Sequence, residues 1–315
     1  MFGGTTLIIV LAIFLGVVAS LIPVGNERST VRRLPWVTFA IIGLAVVIHY
    51  TSLPSRVLQE RQLKASRGAL QEFIDNHQEL LGDEMLRDEL YQAGVVSRIR
   101  IREVEAAVAK NPNFEKDYKS WARGREAQKL KAEIGGLLTE FRDTTNSHLW
   151  YQYGIAPAGN WQIYQIFTYA FLHAGVLHLS FNAIFFFAVA FSLEDLWGRS
   201  VFGIFFLLSA AVAALPVILD PVQVPIVGAS GAVSATMGAF LVRLPKTKVR
   251  LFVLLSSARM MFGRKASYIM VPGALFIIAY FAAQLVQWLL ESLTGDYSGT
   301  QFSVHIAGFG FGVVF

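Results

Sequence analysis

The chain has 315 residues, 54% of them hydrophobic, a mean hydropathy of +0.50 and a formal net charge of +5. Soluble domains average about 45–50% apolar residues even with glycine counted, so a chain whose apolar residues are clustered is not an ordinary water-soluble domain. There is no cysteine, which excludes disulfides, thiol catalysis and cysteine-ligated zinc.

The apolar residues are clustered. Runs at 5–24, 36–53, 177–193, 201–219, 231–242 and 268–290 carry almost no charge, and about 20 apolar residues of helix cross a bilayer core. The first run is expected to be a retained spanning helix rather than a cleaved signal peptide. Its start, "MFGGTTLII", has no basic residue, and the cluster Arg28, Arg32 and Arg33 follows it instead. A second spanning helix is predicted at 36–53.

Residues 55–147 then hold 16 Lys+Arg and 16 Asp+Glu. Within them Leu70, Phe73, Ile74, His77, Leu80 and Leu81 recur at helical spacing, and Pro112 between two asparagines marks a break. The segment is predicted to be a charged helical insertion. The other 11 basic residues, from Arg28 to Lys265, fall on one side if the chain threads back and forth from residue 5. That bias makes this side cytoplasmic and the insertion extracytoplasmic. The positive charge is therefore topological, and no nucleic-acid partner is expected.

After the irregular "YGIAPAGNWQIYQ", helices are predicted near 177–195, 201–219, 230–243 and 268–291, with a last one opening at Phe302. From Phe302 to Phe315 there is room for roughly 21 Å of helix, short of a ~30 Å core. The expectation is that the chain stops inside this helix. The predicted division is 1–34, an extra spanning helix and basic loop; 35–54, the first core helix; 55–147, the insertion; and 148–315, the rest of the core.

An ionisable side chain inside a membrane span marks a candidate functional site. His77 and His148 are set aside with the extramembrane segment, and His49 lies near a helix end beside Tyr50. His173, His178 and His305 remain, with Asn182 and Ser230. His178 and Asn182 are four apart and share a helix face. Ser230 follows a loop with Asp220, Pro221 and Pro225, which places it at a helix N-terminus, and His305 lies just inside the last helix. His178, Asn182, Ser230 and His305, from three helices, are expected at one depth, in the external third of the membrane.

Ser230 becomes a nucleophile if a base takes its proton, and His305 is the base placed to do so. A helix N-terminus offers backbone N–H groups to a developing oxyanion, with His178 and Asn182 as further donors. The acids outside the insertion are Glu27, Glu194, Asp195, Asp220, Glu291 and Asp296. None lies at this level, so the site is a dyad, with Ser234 a candidate for orienting the imidazole. Ser230, Ser234 and Gly238, together with Gly308 and Gly312, form small-residue stripes that let two helices approach closely. Taken alone, these residues leave open a transporter or channel, haem ligation by His178 and His305, or a packing role. The absence of an H-E-x-x-H pattern argues against an intramembrane zinc protease.

The stretches "FTYAFLHAGVLHLSFN", "LEDLWG", "GASGAVSATMGAF" and "HIAGFGFG", in this order, resemble the rhomboid family of intramembrane serine proteases. The resemblance covers 36–53 and about 150–315. It implies an all-α polytopic membrane protein, a rhomboid-like six-helix bundle carrying an extra N-terminal spanning helix and a helical extracytoplasmic insertion. Ser230 then looks like the nucleophile and His305 like the general base. His178 and Asn182 look like oxyanion donors alongside the Ser230 N–H, and His173 like a supporting loop residue. Gly228 matches the first glycine of G-x-S-G, and Gly308 and Gly312 match the close-packing glycines. Some members have Trp-Arg where this chain has Tyr164-Gln165, and an aromatic where it has Ser234. The implied activity is hydrolysis of peptide bonds in or next to transmembrane segments, without cofactor or metal, on transmembrane protein substrates in a lipid bilayer. The implied location is a bacterial inner membrane with the site open to the extracytoplasmic side. The alternative is a non-proteolytic scaffold that binds transmembrane clients.

Overall fold

Apolar residues at helical spacing dictate most of the secondary structure. The computed structural model of the protein describes residues 21–26, 34–155, 161–219, 225–253, 268–294 and 302–315. In chain order these form β1 (Leu21–Asn26), α1 (Trp36–Asn76), α2 (Glu84–Gln92), α3 (Arg98–Lys110), α4 (Phe114–Ala122) and α5 (Arg125–Ser147). There follow α6 (Leu149–Tyr153), α7 (Gln165–Thr168), α8 (Val176–Trp197), α9 (Arg199–Leu219) and α10 (Ser230–Arg243). The chain continues with β2 (Lys248–Val253), β3 (Tyr268–Pro272), α11 (Gly273–Thr294) and α12 (Phe302–Val314). Two compact units result: residues to Tyr50 with Gln162–Asp220 and Ile226–Phe315, and Thr51–Trp161 with Pro221–Pro225.

The first unit is a helical bundle. Among the described residues α1, α8 and α9 are long and apolar enough to cross a membrane, and α12 and the Gly273–Val286 part of α11 are shorter apolar helices. α10 is buried from Gly231 through Phe240, so it forms the middle of the bundle. Phe202, Phe205 and Phe206 of α9 are fully buried beside it. A single carboxylate organises the start of α1. Glu194, buried at the end of α8, accepts from the Val37 N–H (3.0 Å), the Thr38 N–H (2.8 Å) and the Thr38 hydroxyl (2.8 Å). The first turn of a helix leaves N–H groups without intrahelical partners, and a buried charge needs such donors. Each solves the other's problem.

The predicted spanning helix at 5–24 is corrected at its end. Residues 5–20 lie outside the described residues, but 21–24 belong to β1, which pairs antiparallel with β2, while β2 pairs with β3. An apolar run does not by itself distinguish helix from strand. Pro23 and Gly25 disfavour helix, and the ladder slips register between them, where proline has no N–H to donate. The predicted helix at 268–291 likewise opens as strand and becomes helical only at Gly273. A three-stranded sheet thus gathers residues 21–26, 248–253 and 268–272 beside an otherwise helical fold.

The second unit packs around its own core. Leu70, Ile74, Leu80, Leu81, Leu90, Ile134, Leu138 and Phe141 form one buried cluster, as the spacing of the first four predicts. The boundary expected after residue 54 is no helix break: α1 runs straight through Pro54, which removes one donor from the ladder without ending it. Pro112 does separate α3 from α4. Asp83 caps α2 by accepting from the Leu86 N–H and pairs with the Lys131 ammonium at 2.9 Å. Burial pushes its carboxyl up, but Lys131 and the N–H groups of Leu86 and Met85 outweigh that and hold it below the usual carboxylate range. This contribution is present at neutral pH and is lost as pH falls through the lowered value.

Two substitutions test these contacts. Asp83→Ala should cost about 1 kcal/mol at neutral pH and less in acid, where the parent carboxyl is protonated, as read from melts at both pH values. Glu194→Ala should cost about 2–4 kcal/mol, because it orphans two buried donors of α1, and should lower the midpoint of denaturant unfolding.

Candidate active site

Ser230 is the first helical residue of α10, and the preceding Ala229 is the cap. Val233 is the first residue whose N–H turns back, to the Ala229 carbonyl at 2.9 Å. The N–H groups of Ser230, Gly231 and Ala232 therefore point out of the helix end, where they can meet a developing negative charge. The approach to this end is held by Tyr169. Its hydroxyl donates to the Ala210 carbonyl of α9 (2.8 Å), and its carbonyl accepts from the Gly228 N–H (2.9 Å).

Gly228 is needed for two reasons. Its φ is +126°, a conformation side chains rarely adopt. A Cβ there would also lie 2.7 Å from Cε1 and 3.0 Å from Nε2 of His178, so the missing side chain leaves room for that imidazole. His178 in turn lies edge-on to His173, with ring centroids 5.3 Å apart and His173 buried. Asn182, one turn on and buried, donates from Nδ2 to the His178 carbonyl at 2.9 Å. An amide nitrogen has two hydrogens, and the second is the one available to an oxyanion. Tyr164 is half-exposed, whereas Gln165 is buried and accepts from the Gln162 N–H, which closes the turn ahead of His173.

The distance between α10 and α12 is set by glycines. A methyl on Gly308 would overlap the Gly231 carbonyl, one on Gly312 would overlap the Ala235 carbonyl, and one on Gly238 would overlap the Phe309 carbonyl. The backbones touch. The touching stripe on α10 is Gly231, Ala235 and Gly238: Gly238 is as predicted, while Gly231 and Ala235 stand in the seam where Ser230 and Ser234 were expected. One residue is a 100° turn of an α-helix, so the two serines flank the seam rather than lie in it. Val304 packs on Gly231 and is followed by His305, which is buried. The imidazoles of His178 and His305 are close enough to interact electrostatically.

Ser230, Gly228, His178, Asn182, His173 and His305 thus come from the segments around α8, α10 and α12 within one unit. Ser230 and His305 share no hydrogen bond. The His305 Nδ1 is bonded instead to Oε1 of Gln284 in α11, and the Tyr280 phenol interacts with Ser234 and Gln284. These two residues were not singled out from the sequence, because neither is charged at neutral pH. A tyrosine and a glutamine four apart in an apolar helix was the available signal.

Residues 160–315 match the rhomboid domain. These residues form a rhomboid domain. It is also similar to "Rhomboid-related protein 3" of Homo sapiens, 31% identical over 83 residues, which is 26% of this chain and 20% of that protein. The chain thus matches about a fifth of that relative's length. The rhomboid domain and the apolar helices make this an integral, multi-pass membrane protein. The matched region contains every site residue named above, while most of the second unit, residues 51–159, lies ahead of it in the sequence.

The glycine seam makes a sharp prediction. Gly308→Ala and Gly312→Ala should each destabilise the rhomboid bundle by about 3 kcal/mol through overpacking. Gly310→Ala, with nothing within 4 Å of its Cβ, should be neutral. Denaturation midpoints of the three variants in one detergent check this.

Proposed function

We propose that the protein is an intramembrane serine endopeptidase, in which Ser230 attacks a peptide carbonyl in or next to a transmembrane segment and His305 takes its proton. The observation that carries this reading is the backbone contact of α10 with α12, which holds the helix end bearing Ser230 beside the turn bearing His305. With Nδ1 of His305 engaged by Gln284, Nε2 is the atom left to accept the serine proton. Ser230 and His305 share no hydrogen bond in this substrate-free site, and catalytic hydrogen bonds of this kind tighten once substrate is bound.

In the first half-reaction Ser230 Oγ bonds to the carbonyl carbon as its proton moves to His305. The resulting oxyanion is met by the Ser230 N–H, His178 and the second N–H of Asn182. The C–N bond then breaks as His305 returns the proton to the leaving amine. Water repeats the sequence on the acyl-serine and releases the new carboxylate. Each well-placed oxyanion donor is worth about 2.7–4 kcal/mol at the transition state. Gly228, with its room for His178, and His173, against the His178 ring, support this geometry. The substrates of this reading are membrane proteins with locally unwound transmembrane segments, since a helical carbonyl is already hydrogen-bonded. It also places the protein in a bacterial inner membrane with the site open to the extracytoplasmic side, as the basic residues outside 55–147 favour.

The second reading, a non-proteolytic scaffold for transmembrane clients, is favoured by the missing bond between Ser230 and His305. A serine-reactive fluorophosphonate separates the two. Labelling that is lost in both Ser230→Ala and His305→Ala, with cleavage of a model transmembrane substrate lost in parallel, is the expected result. Labelling should also fall on acidification, because a protonated imidazole accepts nothing. Unlabelled wild type that cleaves nothing would leave the scaffold standing, and undiminished cleavage by Ser230→Ala would overturn the role given to Ser230.

A further inference from the structure

We propose that Gln284 of α11 is a positioning residue that fixes the tautomer and orientation of His305, the part played by a carboxylate in three-membered serine sites. This rests on the dyad reading above and adds to it a residue that touches no substrate.

The chemistry follows from the donor inventory. An amide oxygen only accepts, so a bond between Gln284 Oε1 and His305 Nδ1 requires the proton to be on Nδ1. The neutral imidazole then presents Nε2 without a proton, which is the form a general base needs. In serine hydrolases with a buried aspartate, the acid holds this same tautomer. Here Glu194 is committed to the start of α1, and the glutamine on the neighbouring helix supplies the acceptor.

Gln284 is itself held in place. Tyr280 lies one turn earlier on the same face, and its phenol interacts with both the Gln284 amide and Ser234. Neither Ser234 Oγ nor Gln284 Nε2 completes an aligned hydrogen bond in the resting geometry. The ring of Tyr280 is wedged between Phe185 of α8 and Phe281, at centroid distances of 5.0 and 5.4 Å. Phe281 packs edge-on against Phe309 of α12 at 4.6 Å, which fixes α11 against the helix that carries His305. Ser234 stands at the position where some family members have an aromatic ring, and in this chain the neighbouring ring is that of Tyr280 from α11. A neutral amide orients the imidazole but adds no charge to stabilise its protonated form, so its loss should cost less than loss of a carboxylate.

The test uses the full chain in detergent or bilayer discs. Gln284→Leu should lower kcat about tenfold with KM unchanged, the worth of one hydrogen bond. Gln284→Glu keeps an acceptor and should restore kcat while moving the acid limb of the profile upward in pH. Among the described residues the other titratable groups near His305 are His178 of α8 and Tyr280 of α11, so the profile is repeated in Tyr280→Phe, where the upward shift should persist. If Leu and Glu variants melt like wild type and have equal kcat, Gln284 does not position the base. If instead Ser230→Ala keeps its turnover, the dyad reading fails, and this one with it. Should the variants not fold, nitrogen NMR of the wild type decides. The imidazole signals lost in His305→Ala should show Nδ1 protonated, and a proton on Nε2 would overturn the proposal.

Discussion

The seam where α10 meets α12 is the constraint on which the rest of the site depends. Side chains normally hold helix axes 8–10 Å apart. Where glycine faces a carbonyl, as Gly308 faces Gly231 and Gly312 faces Ala235, the helices come closer. In lipid, no hydrophobic force distinguishes one apolar partner from another, so close packing is what favours one pairing. A two-sided glycine seam thus provides both affinity between the helices and a ruler for the distance between the serine and histidine turns. The remaining contacts act as refinements. Tyr169 and Gly228 aim the loop, His178 fills the space beside it, and α11 reaches His305 from the far side.

Much of this was legible in the sequence because membranes penalise polar groups heavily. Ser230 at a helix start, His178 and Asn182 on one face and His305 at the head of the last helix stood out against apolar surroundings, and all occupy the positions expected of them along their helices. The glycine stripes were legible too: Gly238, Gly308 and Gly312 lie in the seam, but Gly231 and Ala235 take the places expected of Ser230 and Ser234. Composition identifies which residues are small and leaves open which side of the helix meets the partner. Gln284 escaped for a different reason. A search for ionisable groups passes over an amide, yet an amide oxygen also accepts from an imidazole N–H.

The errors at 21–24 and 268–272 share a cause. Both are short apolar stretches next to longer ones, and a hydropathy window merges them into a helix. The strands exist because β2 lies between them and satisfies their backbone groups; the β1–β2 pairing crosses more than 200 residues of chain and leaves little local trace. The helix predicted at 36–53 erred in the opposite direction. It ends with the apolar run, but α1 continues through Pro54 to Asn76 and loses one backbone donor there.

The carboxylate at the head of α1 has a bearing on how the molecule is made. Val37 and Glu194 are 157 residues apart. At about 5–20 residues per second of synthesis, the first turn of α1 waits roughly 10–30 s for its cap to leave the ribosome. Meanwhile every residue of the second unit's buried cluster has already been translated. Biogenesis therefore has a built-in order: the insert can settle first, and the bundle is latched only when the end of α8 arrives.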